Sequence, residues 1–231
     1  MRRGAISNRA EGGLIADERL LKRDALGSVS LVVGAVSCVR RDTRRAGFWL
    51  RPLARRLAAR EAAALSAAEG IEGVPRLLQF DGRTLLRAYV DGRPMHEARP
   101  RSPTYFAAAL TLLRRLHRGG IAHNDLAKEA NWLCTPNGCP ALVDFQLAWR
   151  SARRGRLFRS LAREDLRHLL KHKQTYLPER LTARQRAMLA DPSVTTRFWR
   201  AAIKPCYRFV TRRLLGWEER GGPWERQGSR R

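Results

Sequence analysis

No two of the four cysteines, Cys38, Cys134, Cys139 and Cys206, are spaced as a CxxC pair, and no histidines stand at zinc-finger spacing from them. That excludes a zinc finger or ribbon and leaves reduced cytosolic thiols as the expectation. Long apolar runs are missing too. None reaches the length needed to span a bilayer, and "MRRGAISNRAEGGLIADERLL" carries two early arginines without the apolar core of a secretory signal. A cytoplasmic chain is expected. No repeat of fixed period occurs, which excludes a solenoid or propeller.

Acids are scarce, 21 against 46 basic residues, and the net charge of +25 attracts phosphate-bearing partners such as nucleic acid, anionic lipid or nucleotide. Lysine is scarcer: there are five, and none lies between Lys22 and Lys128. The excess is therefore arginine, and a G+C-rich coding sequence accounts for it as well as any function does. No RNP or KH signature accompanies the basic runs, so nucleic acid is not an expected partner.

The 231 residues suffice for one sizeable core or two small lobes sharing a cleft. "RLLKRDALGSVSLVVGAVSCVRRDT" (19 to 43) holds short β-branched runs broken by Gly27 and Gly34, the pattern of an antiparallel meander. "LRPLARRLAAREAAALSAAEG" (50 to 70) reads as a helix entered at Pro52 and stopped by Gly70. "VPRLLQF" and "RTLLRAYVDGRPM" return to strand character around an Asp81-Gly82 hairpin. Beyond Pro94 helices dominate. Phe106, Leu110, Leu113 and Leu116 share one face of a helix ending at Gly119-Gly120, "LAREDLRHLLKHK" is amphipathic, and Thr182 with Gln185 forms a capping box. A last helix, 194 to 217, bends at Pro205 and precedes a basic tail expected to be disordered. The predicted class is α+β, a small antiparallel β lobe with one helix (about 15 to 91) followed by a mainly helical lobe (about 92 to 215).

Between the second lobe's first long helix and its next one lies "IAHNDLAKEANWLCTPNGCPALVDFQLAW" (121 to 149). His123, Asn124, Asp125, Lys128, Asn131 and Asp144 crowd between apolar stretches, where burying unpaired polar groups is costly. Phosphoryl transfer needs these residue types: a group to orient the acceptor hydroxyl, oxygen ligands for magnesium, and cations for the phosphates. Strands "NWLCTP" and "PALVDF", joined through "NG", predict a hairpin that returns Asp144 beside the loop carrying Asp125 and Asn131.

At these residues the chain resembles the protein-kinase-like superfamily. "HNDLAKEAN" is similar to the catalytic loop H-R-D-L-x-x-x-N, and "DFQ" to the metal motif D-F-G. The resemblance implies a protein-kinase-like two-lobe fold, ATP and Mg2+ as cofactors, Asp125 as catalytic base, Asn131 and Asp144 as magnesium ligands, and His123 as a brace. It further implies that Glu61 orients a phosphate-binding cation and that "DALGSV", with Gly27, ends a glycine-rich loop over the phosphates.

The departures are specific. Asn131 lies six residues after Asp125 where the motif has five, Gln146 replaces the glycine of D-F-G, and no A-P-E follows. Lys128 then fills the role of the loop lysine that touches the transferred phosphate. The pattern leans toward compact members: RIO kinases, lipopolysaccharide-core and Kdo sugar kinases, and aminoglycoside phosphotransferases. The strand lysine is missing. Arg40 or Arg41 can replace it, with "SCVR" matching V-A-I-K better and favouring Arg40, and Lys22 on the preceding strand is a third candidate. The expected acceptor is a sugar or lipopolysaccharide-core hydroxyl, or a protein serine. A pseudokinase that binds without turnover is the alternative, and a nucleic-acid-associated basic protein a weaker third. The aromatic and basic helix 194 to 217 adds a peripheral contact with an anionic membrane as an option, against ordinary packing onto the helical lobe.

Overall fold

The computed structural model describes residues 17–190. The helix expected over 194 to 217 and the tail after it lie outside the described residues. Within them the chain is α+β. Strands β1 (Asp17–Asp24), β2 (Gly27–Val33), β3 (Cys38–Asp42), β4 (Leu77–Phe80) and β5 (Thr84–Ala88) form an antiparallel sheet in the order β1-β2-β3-β5-β4. Helix α1 (Arg51–Ala67) connects β3 to β4.

Glycine ends the first turn, as the sequence predicts. A two-residue turn, Ala25-Leu26, joins β1 to β2, and Asp24 pairs directly with Gly27. Gly27 has φ +127, and a Cβ there would lie 2.2 Å from the Asp42 carbonyl oxygen. The tight approach of β2 to the end of β3 demands glycine at this position, and the stretch expected to close a glycine-rich loop is a short, packed turn. At the β4–β5 hairpin the Asp81 carboxylate accepts from the amides of Arg83 and Thr84 at 2.8 and 2.6 Å, a side-chain-closed turn.

Helix α1 buries Ala54, Ala58, Ala62 and Ala64, whose small side chains let the helix lie close to its neighbours and carry Glu61, fully buried, inward with them. A short strand β6 (Arg93–Pro94) and helix α2 (Met95–Ala98) lead into α3 (Pro103–Arg118), which is capped by the Ser102 hydroxyl on the Thr104 amide. Tyr105, Phe106, Ala109, Leu112, Leu113 and Leu116 of α3 are buried, and Leu110, expected on that face, is half-buried at its edge. With Ala64, Leu65 and Ala68 from α1 and the turn after it, and with Met95, Leu126, Trp132, Leu142, Phe145 and Leu169, they make one continuous core. The sheet's helix and the helical half therefore share their apolar interior. Burial at about 25 cal/mol per Å² of apolar surface makes that shared core the main cohesive term.

After α3 come β7 (Ile121–Ala122), the hairpin β8 (Trp132–Cys134) and β9 (Pro140–Leu142), and β10 (Trp149–Arg150), which pairs antiparallel with β7. Helix α4 (Arg156–Tyr176) runs beneath the loop after β7, and α5 (Ala183–Ala190) follows the expected capping box: the Gln185 amide donates to the Thr182 hydroxyl and the Thr182 amide to the Gln185 side chain, both at 3.2 Å. Among the described residues no helix is long and apolar enough to cross a membrane.

Candidate active site

The loop between β7 and β8 is held from below. The amides of His123 and Asn124 donate to the two oxygens of Asp165 on α4, at 2.8 and 2.9 Å, and His117 Nε2 lies 3.1 Å from the same carboxylate. Asp165 is 1% exposed, so these groups stand in for water around its charge. Two successive amides aimed at one carboxylate fix the path of the loop, and Asn124 turns it through a left-handed residue at φ 63, which asparagine tolerates. Two turns further along α4, the imidazole of His172 donates from Nε2 to the Leu126 carbonyl at 2.8 Å; burial pulls its pKa down to about 4, leaving it neutral.

His123 ties the loop to the segment after β9: its Nε2 donates to the Val143 carbonyl at 3.0 Å and its ring packs on Phe145, centroids 4.5 Å apart. Within the loop, the Lys128 ammonium lies 2.8 Å from Asp125 Oδ2, and the Asn131 amide nitrogen donates to the Asp125 carbonyl at 2.9 Å and its carboxylate at 3.0 Å. A 3-10 turn over Glu129–Asn131 brings Asn131 back onto Asp125. Burial pushes the Asp125 carboxyl above the usual carboxylate range, and the charge of Asp144 adds to it, against the pull of Lys128.

Asp144 reaches the same place from the hairpin. The Val143 amide donates to the Asn131 carbonyl at 3.1 Å, which continues the β8–β9 ladder and sets Asp144 just past Asn131. Asp144 itself is left-handed, at φ 66 and ψ 67, and Gln146 donates to its Oδ1 at 2.6 Å. Burial pushes this carboxyl up, but the charges of Arg41 and Lys128 and the Gln146 hydrogen bond outweigh it and hold the group below the usual range. Two neighbouring aspartates are thus displaced in opposite directions. Such divergence separates a group that can take a proton from one that stays ionised.

The sheet supplies the cations. Strand alternation puts Val39 and Arg41 on the face toward α1, where Arg41 Nε lies 3.0 Å from Glu61 Oε2 and its Nη2 3.5 Å from Asp144 Oδ1. Arg40, which the motif match favours, points the other way and pairs with Glu18 at 2.6 Å. Lys22 forms an ion pair with Asp24 at 3.0 Å, its side chain 54% exposed. Of the three basic candidates, Arg41 is the one that adjoins both Glu61 and Asp144. A second guanidinium escapes sequence reasoning: Arg87 on β5, 8% exposed, holds the other oxygen of Glu61 at 3.3 Å. Its one signal is its place two residues after the buried Leu85 on a strand. Asp165 escapes as well, lying some forty residues from the loop it anchors.

Among the described residues no group of three or more His, Cys, Asp or Glu is arranged to hold a metal on protein ligands alone. Magnesium needs no such group, because one or two carboxylates and substrate phosphates complete its shell. The Asp144 carboxylate and the Asn131 amide oxygen are hard donors of that kind, and the Asn131 nitrogen is already committed to Asp125. The assembled cluster joins a raised carboxyl, a lowered carboxyl, an amide and two cations, Arg41 and Lys128. No family model matches the chain, and a search of curated proteins finds no match.

Proposed function

We propose that the chain is an ATP- and magnesium-dependent phosphotransferase of protein-kinase-like, two-lobed build that moves a γ-phosphoryl group to a hydroxyl. The observation that carries this reading is the convergence of Asp125, Asn131 and Asp144 at one end of a hairpin, facing Arg41 from the sheet and Glu61 from α1. Asp125, with its raised carboxyl, orients the acceptor hydroxyl and takes its proton. Lys128, 2.8 Å away, moves between Asp125 and a phosphate oxygen. Arg41, braced by Glu61, holds phosphate in place of the missing lysine, since a guanidinium binds phosphate by two parallel hydrogen bonds. Asp144 and Asn131 are the residues to hold magnesium, which when bound offsets the charge of the phosphate oxygens.

What connects the site to α4 supports one class of acceptor. The chain passes from Asp144 through a 3-10 turn at Phe145–Leu147 and the two-residue β10 into α4. So short a link favours a sugar or lipopolysaccharide-core hydroxyl over a peptide, with a protein serine as the second acceptor. The proposed setting is the cytoplasm.

The test is transfer of label from γ-radiolabelled ATP to a bacterial envelope extract and, separately, to a protein extract, with Asp125→Asn alongside. Label in a saccharide-bearing fraction that disappears with Asp125→Asn supports the reading. Nucleotide binding without transfer to either extract would favour a pseudokinase, which the Arg41–Asp144 ion pair also accommodates.

A further inference from the structure

The corner where the sheet passes into α1 bears side chains that the site does not use. Phe48 and Trp49 lie on a 3-10 turn just ahead of the helix, 70% and 88% exposed. They pack edge to face on each other, centroids 5.3 Å apart, rather than into the core. Leu53, at the first turn of α1, is 40% exposed beside them. From Thr43 to Arg60 the chain contains no acid, and Arg45, Arg55 and Arg56 are exposed and without an ion pair among the described residues.

We propose that Phe48, Trp49 and Leu53, with Arg45, Arg55 and Arg56, form a docking tip that seats in the headgroup layer of an anionic lipid bilayer. Aromatic rings with an apolar body favour the membrane–water interface, and arginines beside them pair with lipid phosphates while their stems lie on the apolar layer. Charge selects the partner, because an acid-free basic patch repels a basic one and is drawn to an anionic surface. Shape selects between lipid and nucleic acid. A tryptophan 88% exposed protrudes, which suits insertion into a soft surface, whereas stacking on bases uses rings set in a groove. The tip lies about 15 Å along α1 from Glu61, from the helix rise between Arg51 and that residue. Lipid binding by the tip holds whether or not the candidate site transfers phosphate.

The test is co-sedimentation of the full chain with phosphatidylcholine vesicles and with mixed phosphatidylcholine–phosphatidylglycerol vesicles. Pelleting with the anionic vesicles is expected, weakened roughly tenfold or more in a Phe48→Ala/Trp49→Ala double variant and in Arg55→Glu/Arg56→Glu, with thermal melting unchanged because these side chains are exposed. Trp49→Phe keeps an aromatic anchor, so its pelleting should persist while the vesicle-induced blue shift of emission becomes smaller than that of the wild type, which has six tryptophans. Equal pelleting of the double variant and the wild type would move the contact elsewhere and overturn the proposal. So would failure of the wild type to pellet, or binding to oligouridine but not vesicles that the double variant abolishes.

Discussion

Arg41 and Asp144, 103 residues apart in the chain, stand 3.5 Å apart where the sheet meets the β8–β9 hairpin. The same guanidinium contacts Glu61, so one side chain spans acids from a helix and a hairpin. Arg41→Ala is expected to raise the KM for ATP, while Arg40→Ala and Lys22→Ala leave it unchanged. Arg41→Ala and Glu61→Ala should be non-additive, with a coupling of about 0.5–3 kcal/mol in a double-mutant cycle. Steady-state kinetics at varied ATP measures this, and a defect confined to Arg40→Ala would refute the pairing.

The raised carboxyl of Asp125 predicts an acid limb in kcat/KM above the ordinary aspartate value of about 3.9. Activity falls as pH drops through that raised value, because the protonated acid cannot accept the hydroxyl proton. Lys128→Met removes a cation that favours the ionised form and should move the limb to higher pH. Asp125→Asn should lower turnover by about a hundredfold or more while nucleotide binding persists. Since ionising a group with a raised pKa costs stability at neutral pH, this variant should melt no lower than the wild type.

Asp144 has the opposite sign. Its lowered pKa contributes stability that is present above the unfolded value of about 3.9 and is lost as pH falls through the folded value below it. In Asp144→Asn that contribution is absent, so the melting difference from wild type should shrink on acidification. Asparagine tolerates the left-handed backbone at φ 66, which keeps the test clear of strain. Calorimetry should also show weaker binding of magnesium–ATP, and an unchanged affinity would remove Asp144 from the metal role.

Asp165→Ala strips the partner from the amides of His123 and Asn124 and from His117. A loss of about 3–5 kcal/mol in urea denaturation is expected, the scale for breaking a buried charged network. Asp165→Asn, which keeps one acceptor, should lose less.

Gly27→Ala separates two accounts of that glycine. With φ +127 and the Asp42 carbonyl oxygen 2.2 Å from the added carbon, the variant should lose at least about 1–3 kcal/mol of stability. A stable variant with a raised KM for ATP would instead favour contact with phosphate.

The hairpin, the helix boundaries and the polar cluster are legible in the sequence because each rests on local pattern: alternation around "NG", proline and glycine at helix ends, and polar side chains amid apolar strings. The choice between Arg40 and Arg41 is not, since both fit the distance to Glu61 along the chain. Strand alternation decides it, as Val39 and Arg41 share a face while Arg40 meets Glu18. Arg87 stays hidden because a buried arginine makes sense only once Glu61 is opposite it. Asp165 sits on an amphipathic helix where an acid reads as solvated, and only the tertiary fold brings two backbone amides to it.

The passage from Asp144 to α4 is fastened at several points. Arg60 on α1 donates to the carbonyls of Leu147 and Ala148, Asn124 donates to Leu147, β10 pairs with β7, and the Ser151 amide donates to the carbonyl of Gly120, a glycine whose added Cβ would meet the Ser151 oxygen at 2.7 Å. A stretch tethered this way has little slack to swing between an open and a closed arrangement. Phosphorylating it would gain no ordering, since the order is already there.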